Sequence, residues 1–354
     1  MSAHQSDETR RDRKTWAGSR HRQELVGCAS EMSEIKMTEI TVVVCTYNRR
    51  GSLAKALESI VNSAMPEPTA WEVLVVDNNS SDGTREAVEE FCSRYPSRFR
   101  YRFEPQQGKS YALNAALREA KGDVLAFTDD DVVVDSAWLV NLTTPLLGGK
   151  WFGSGGRTLP QGNFSLPRWF PVQNRHALGA LALYDLGPHA QQMSEPPFGN
   201  NMAYRKQMFQ KYGGFRTDLG PPPGNEVRGE DSEFACRLLS AGELLCYQPL
   251  AVVYHEVPPD RLTKQYFRRW FSAKGHQEFR ELEISSQAKS LVHKFLLLLP
   301  ARILVRTLLW MVTIKPSKRF SYVIEMAYLA GQIKEFWTRR RSRGNRKGKR
   351  PHRS

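Results

Sequence analysis

Residues 40–49 read Ile-Thr-Val-Val-Val-Cys-Thr-Tyr-Asn-Arg. Ile40–Cys45 is an unbroken, β-branched run, the mark of a strand buried on both faces of a parallel sheet. It stops in a polar cluster, Thr46-Tyr47-Asn48-Arg49. The same sentence is repeated downstream. Glu72–Val76 is a second buried run and ends in Asp77-Asn78-Asn79-Ser80-Ser81-Asp82-Gly83-Thr84. Arg98–Phe103 reads as a third strand. Asp123–Thr128 reads as a fourth and ends in Asp129-Asp130-Asp131. Helical patterns fall between them, at 50–63, at 82–94 opened by Asp82, and at 109–120 closed by Gly122. Strand and helix in strict alternation predict an α/β fold with a doubly wound sheet, Rossmann-like in its first half.

Downstream the pattern loosens. Residues 150–225 are richer in Gly and Pro. A helix returns at 230–241 and a strand at 244–254, and from 260 the chain turns helical and basic.

Open parallel sheets bind ligands at the carboxyl ends of their strands. Three polar clusters therefore converge on one edge. The triple aspartate is the sharpest, because three adjacent carboxylates repel unless a cation neutralises them. Hard divalent ions take carboxylate and phosphate oxygens together. The bland reading is a solvated acidic turn before a helix N-terminus. Gly108-Lys109-Ser110 imitates the end of a phosphate loop, but Phe103 stands where that motif needs its first glycine. The first strand carries no G-x-G-x-x-G. A P-loop NTPase and a dehydrogenase are disfavoured.

The ordered set VVVCTYNR, VVDNNSSDGT (75–84), GKSYALNAAL (108–117), FTDDDV (127–132), FGNNMAYRK (198–206) and GEDSEFACRL (229–238) resembles an inverting family 2 glycosyltransferase of GT-A fold, over roughly 40–260. The resemblance implies a Rossmann-like, mostly parallel central sheet flanked by helices, here with a C-terminal helical, basic extension. It implies that Thr46 and Asn48 line a nucleotide pocket, that Asp77 accepts from the base, and that Lys109 contacts the diphosphate. Asp129 would meet the ribose or the metal shell. Asp131 would be the main ligand of a Mn²⁺ or Mg²⁺ ion, with His255 as a further ligand. Asp231 would be the catalytic base, with Glu230 second. Asn200, Asn201 and Arg268 would shape the sugar or acceptor pocket. The implied reaction moves a single sugar from a nucleoside-diphosphate donor, UDP-linked in most of the family, to a hydroxyl of a glycan or lipid-linked acceptor in cell-surface polysaccharide synthesis. A lone histidine is more often structural than a ligand, and Trp169 and Phe198 are as easily core as pocket.

The sequence carries a formal net charge of +14, unevenly placed. Residues 1–39 are neutral, 40–260 carry −4, and 261–338 and 339–354 carry +9 each. A mildly acidic centre disfavours a nucleic-acid-binding core, so no specific nucleic acid is expected as a partner. The five cysteines include no C-x-x-C pair, which fits a reduced, cytosolic chain. No apolar segment of signal-peptide type follows the early arginines. Residues 1–37 read as a disordered arm, with Met32 or Met37 as alternative starts. The divisions are then 38–260 for the transferase domain, 261–338 for a membrane-associating or packing extension, and 339–354 for a disordered basic tail.

Residues 295–314 are long enough to span a bilayer, but Arg302 and Arg306 bring insertion near balance. Lying in the interface, next to an anionic membrane surface, is the more natural expectation. That places the chain on the inner face of the cell membrane, as a peripheral protein. Gln265–Trp270 approaches the Q-x-x-R-W motif of processive synthases but separates Arg268 from Trp270 by an extra residue. Two other functions fit an α/β chain of this kind. A sugar-phosphate nucleotidyltransferase would want a glycine-rich basic loop after the first strand, which Thr46–Arg49 does not supply. A non-catalytic partner with a decayed transferase fold would not need Asp131 and Asp231 intact.

Overall fold

The computed structural model describes residues 39–65, 69–219, 229–284 and 288–347. The sheet grows outward from Ile40–Thr46 (β1), buried along nearly its whole length. Trp71–Asp77 (β2) and Val124–Asp129 (β4) flank it in parallel, and Phe99–Phe103 (β3) joins β2 in parallel. The registers bring Thr46 beside Asp77, Cys45 beside Asp129 and Asp77 beside Phe103. The three polar strand ends, and the end of β3, are therefore level on one edge.

The other half of the sheet is mixed. It contains Val132–Val134 (β5), Gly153–Pro160 (β6), Gln191–Gln192 (β7), Asn201–Arg205 (β8) and Leu245–His255 (β9). The order is β3-β2-β1-β4-β8-β6-β9-β5, with β7 also on β9. Strand β8 runs antiparallel to both β4 and β6, β9 runs parallel to β6, and β5 runs antiparallel to β9. The Gly- and Pro-rich region thus supplies inner strands as well as loops.

Helices cover both faces, which is why the strands show no polar alternation. Val42, Val44, Val73 and Val75 pack under Arg50–Val61 (α1), Thr84–Arg94 (α2) and Trp138–Leu147 (α4). Val43, Leu74 and Val76 pack under Lys109–Glu119 (α3), Lys206–Tyr212 (α6) and Glu230–Ser240 (α7). A short helix, Arg175–Ala180 (α5), precedes β7. Helix α2 begins two residues beyond Asp82, which still serves its start by accepting from the Thr84 amide at 3.2 Å. Asp82 also accepts from the Arg50 amide at 3.0 Å, so one carboxylate serves two helix starts.

The extension is formed by Lys264–Ile284 (α8), Ala288–Val312 (α9) and Pro316–Lys347 (α10). Phe267 and Phe271 of α8 and Phe320 and Ile324 of α10 enclose Phe170 and Leu181 in a third core. Trp169 meets Phe320 edge to face at 4.8 Å, so it is a packing residue. Helix α10 carries the backbone through Lys347, and the expected unstructured tail from Arg339 is helical that far. The expected arm, 1–37, and the last residues, 348–354, lie outside the described residues. Among the described residues no helix is long and apolar enough to cross a membrane.

One buried carboxylate ties the parallel strands together. Glu72, 4 % exposed, accepts from Thr41 Oγ1 at 3.0 Å, Arg100 Nη1 at 2.9 Å and the Lys121 amide at 3.1 Å. Burial works against its charge, and the bonds from Arg100, Lys121 and Thr41 outweigh it, holding the carboxyl below its ordinary range. Glu72→Gln should cost about 2 kcal/mol near neutral pH, read as a shift in urea unfolding. A depressed carboxylate contributes stability above its unfolded value, and that contribution is lost as pH falls through the folded value. Wild-type and variant stabilities should therefore converge below pH 4.5, the ordinary value of a glutamate.

Candidate active site

The loops that follow β1, β2 and β3 are clasped to one another. Asn48, in the left-handed region at φ 50°, donates its amide to Ser80 Oγ at 2.9 Å and accepts from the Ser81 amide at 2.7 Å. Buried Asn78 donates to the Gln106 carbonyl and accepts from the Gly108 amide, each at 2.7 Å. Asp77 is buried at the tip of β2, oriented by the Ser80 amide and the Tyr101 hydroxyl at 2.9 Å each. Each of its oxygens keeps a second lone pair for a ligand donor. Asn48 stands at the expected loop, but its side chain is spent on holding that loop.

The triple aspartate occupies the turn between β4 and β5. Each carboxylate has a built-in cation. Lys109 Nζ reaches Asp129 Oδ1 at 2.6 Å. Arg49 Nη1 lies 3.0 Å from Asp130 Oδ1 and also bonds Asp131 Oδ2. Asp130 is buried, and desolvation pushes its carboxyl up to about 6 against the pull of Arg49. Thr46 is buried at the end of β1 in the same corner. Burial also works against the Arg49 charge, but Asp130 and Asp131 outweigh it and hold the guanidinium above its ordinary value.

His255 closes the far side. It ends β9 opposite Val132, the residue after Asp131. Its Nε2 stands 3.9 Å from Asp131 Oδ2. It is 3 % exposed, its Nδ1 has no hydrogen-bond partner, and burial lowers its pKa, which favours the neutral imidazole. A carboxylate and a neutral imidazole facing each other suit a hard or borderline divalent ion. Among the described residues no three His, Cys, Asp or Glu side chains form a complete cage. That is the donor set of an ion held by one or two protein ligands and completed by phosphate oxygens.

The acidic pair opens α7. Phe234 anchors this helix, stacked on Phe209 at 4.3 Å and edge to face with Tyr204 at 5.1 Å. Glu230 is fully buried, its Oε1 unpartnered and its Oε2 accepting from the Gly229 amide at 3.0 Å. Burial, then the Asp231 charge, raises its pKa. Asp231 is only partly buried and lies against the backbone of Gly199. A Cβ on Gly199 would stand 1.9 Å from Asp231 Oδ2, so residue 199 has to lack a side chain for the carboxylate to sit there. Cys45 lies opposite Asp129 in the β1–β4 register, and burial pushes its thiol up to about 12.

Three sequence expectations come out differently. Asn201 is fully buried and structural: it accepts from Trp138 Nε1 at 2.9 Å and donates to the carbonyls of Arg157 at 2.8 Å and Ala251 at 2.9 Å. Asn200 is buried, its Oδ1 accepting from Thr158 Oγ1 at 2.9 Å and its carbonyl from Thr128 Oγ1 at 3.0 Å. Both asparagines therefore brace inner strands. Arg268 is exposed on α8, and among the described residues no hydrogen bond or ion pair joins it to the aspartate cluster. Conversely, Arg49 and Gly199 were quoted inside motifs without a role. Their roles depend on contacts with chain far away in sequence.

Residues 41–163 match the family model described as Glycosyl transferase family 2. The match takes in the parallel strands and the triple aspartate. Over 233 residues it is 27 % identical to the glycosyltransferase AglE of Haloferax volcanii, covering 65 % of this chain and 71 % of that one. It is 28 % identical over 240 residues to the succinoglycan biosynthesis protein ExoM of Rhizobium meliloti, covering 67 % and 74 %. The structure of the mannosyltransferase PcManGT from Pyrobaculum calidifontis, solved with GDP-Man and Mn²⁺, superposes with a TM-score of 0.59 at 21 % identity, covering 86 % of this chain and 88 % of that one. The shared architecture is the GT-A fold.

Replacing Asn201 by Ala should strand three buried partners, Trp138 Nε1 and two strand carbonyls. Each orphaned group costs about 1–3 kcal/mol, so the variant should lose at least about 3 kcal/mol in urea unfolding. Full stability in Asn201→Ala, with weakened ligand binding instead, would restore the pocket assignment.

Proposed function

We propose that this family 2 domain transfers one sugar, with inversion, from a nucleoside-diphosphate donor to a hydroxyl of a glycan or lipid-linked acceptor, with UDP as the first candidate nucleotide. The observation that carries the reading is the convergence of Asp77 and the triple aspartate, with Lys109 2.6 Å from Asp129, at the carboxyl edge of the parallel strands. Asp77 sits where a base would be met, and Lys109 faces the diphosphate side. Asp131 and His255 would hold Mn²⁺ or Mg²⁺, with Asp129 next to them. Such an ion supplies Lewis-acid stabilisation of the leaving diphosphate.

Asp231 is the base. It is the accessible member of its pair, whereas Glu230 is enclosed. Its carboxylate, held against Gly199, accepts the acceptor hydroxyl proton as that oxygen attacks the anomeric carbon. A positioned base contributes ~10²–10⁴-fold. Glu230 is enclosed beside it, and burial raises its pKa. The similarity to a succinoglycan biosynthesis protein supports a role in surface polysaccharide synthesis.

A donor-binding and turnover screen with UDP-, GDP- and dTDP-sugars and either ion checks this reading. Asp131→Asn should lose metal-dependent donor binding. Asp231→Asn and Gly199→Ala should keep donor binding and lose turnover by about a hundredfold or more. Absence of binding by every donor with either ion would sink the reading.

The extension supports a membrane-bound setting, on the cytoplasmic face. Helix α9 turns Leu299, Ile303, Arg306, Thr307 and Trp310 inward, with Arg306 paired to Glu325 of α10 at 2.9 Å. Its other side exposes Leu304, Leu308, Met311 and Val312 in one stripe, the last 74 % exposed. Eight of the fourteen exposed large apolar side chains among the described residues fall within 298–314. Residues 284–324 contain no acidic residue, and Lys315, Lys318 and Arg319 lie exposed at the end of the stripe. An apolar stripe in a cationic setting fits an anionic bilayer, with the helix lying in the interface. The protein should co-sediment with vesicles containing phosphatidylglycerol, and less with phosphatidylcholine alone or in high salt. Leu304→Glu with Leu308→Glu should abolish co-sedimentation while the thermal midpoint is retained. Undiminished pelleting of that double variant would refute the assignment.

A further inference from the structure

The metal-ligand oxygen of Asp131 is already taken by a cation of the chain itself. Arg49 Nη1 bonds Asp131 Oδ2, the same oxygen that faces His255 Nε2 at 3.9 Å. The same nitrogen reaches Asp130 Oδ1 at 3.0 Å. A divalent ion joining Asp131 to His255 would need that oxygen and would meet a guanidinium there. Two positive centres do not share one carboxylate oxygen without a counter-charge. The backbone of Arg49 is not free to retreat, since the loop before it is clasped by Asn48 to Ser80 and Ser81. The side chain is different: it is long, and 36 % exposed. It can leave Asp131 by rotation alone.

We propose that Arg49 is a stand-in cation that makes metal and nucleoside diphosphate bind together. Without ligand its single charge is shared between Asp130 and Asp131, as that of Lys109 is given to Asp129. An ion arriving alone displaces a guanidinium that then has no anion beyond Asp130. An ion arriving with a diphosphate releases Arg49 toward phosphate oxygens, which its planar fork matches well. Each ligand thus raises the affinity for the other, and by the same factor in both directions. The consequence is a site that does not fill with loose divalent ions and is not complete until the donor is present. This rests on the reading of Asp131 and His255 as the ion's protein ligands. Arg49 is here a positioning residue, not a proton donor or acceptor.

The test is Mn²⁺ binding to the whole protein, read from the EPR signal of free Mn²⁺, with no nucleotide and then with UDP or GDP. Wild type should bind Mn²⁺ weakly alone and more tightly with the matching nucleotide. Arg49→Gln should bind Mn²⁺ alone on the order of tenfold more tightly, as expected for loss of a charged hydrogen bond to the ligand oxygen. The enhancement by nucleotide should shrink by the same factor or more. Arg49→Lys, which keeps a cation but not the fork, should fall between them and serves if the glutamine variant is poorly folded. Unchanged or weaker Mn²⁺ binding by folded Arg49 variants, with nucleotide-dependent binding intact in wild type, overturns the stand-in role alone. Absence of Mn²⁺ binding to wild type with either nucleotide removes the metal reading, and the stand-in role with it.

Discussion

Five carboxylates, Asp129, Asp130, Asp131, Glu230 and Asp231, are carried to one edge of one sheet, and the folded chain has to tolerate them there. Much of the local structure answers that constraint. Lys109 is delivered by the first turn of α3 onto Asp129. Arg49 is delivered by the start of α1 onto the next two. Glu230 is enclosed, and burial raises its pKa. What remains is an acidic corner compensated by two cationic side chains on separate loops. In a corner of that kind the carboxylates are held by cations of the chain itself, which is the basis of the exchange proposed above.

The parallel half of the sheet was legible because its chemistry is local. Val42–Val44, Val73–Val76 and Val124–Phe127 are apolar without alternation because helices cover both faces, and the observed strand ends fall within one or two residues of the expected ones. The mixed half was not legible, and β6 shows why. Its sequence, Gly-Ser-Gly-Gly-Arg-Thr-Leu-Pro, has almost nothing apolar to announce a strand. Its glycines are there for approach. A Cβ on Gly156 would stand 2.0 Å from the Ala251 carbonyl and 2.6 Å from Asn201 Nδ2. Where backbones meet that closely, the fold is written in missing side chains, which periodicity does not detect.

The same contrast holds inside the site. Asp77, Asp129, Asp131 and Asp231 could be read from their motifs because each is an acid at a strand or helix end. Asn200 and Asn201 looked like ligand-binding residues because they are polar beside an aromatic and a glycine. Their burial reverses that: a buried amide is committed to the groups it satisfies, and Asn201 satisfies three. Arg49 ran the other way. It is half-exposed and ends an ordinary-looking polar turn, and only the distance across 82 positions of chain to Asp131 gives it meaning.

Gly199 connects the base to the rest of the molecule. The segment that ends in Phe198-Gly199 begins near Phe170 and Leu181, which share a core with α8 and α10. Phe198 itself packs on Tyr184 at 4.9 Å, and Tyr184 meets Tyr247 of β9 at 6.2 Å. The wall behind Asp231 is thus built between the sheet and the helical extension. On the other side of the site, β9 delivers His255 and then leads through Pro259–Leu262 directly into α8. The wall behind Asp231 and the strand that carries His255 are therefore both continuous with the helices that include the apolar stripe of α9. Trp169, Phe267 and Phe320 pack edge to face at this junction, so the wall behind Asp231 cannot shift far without disturbing the core it shares with the extension.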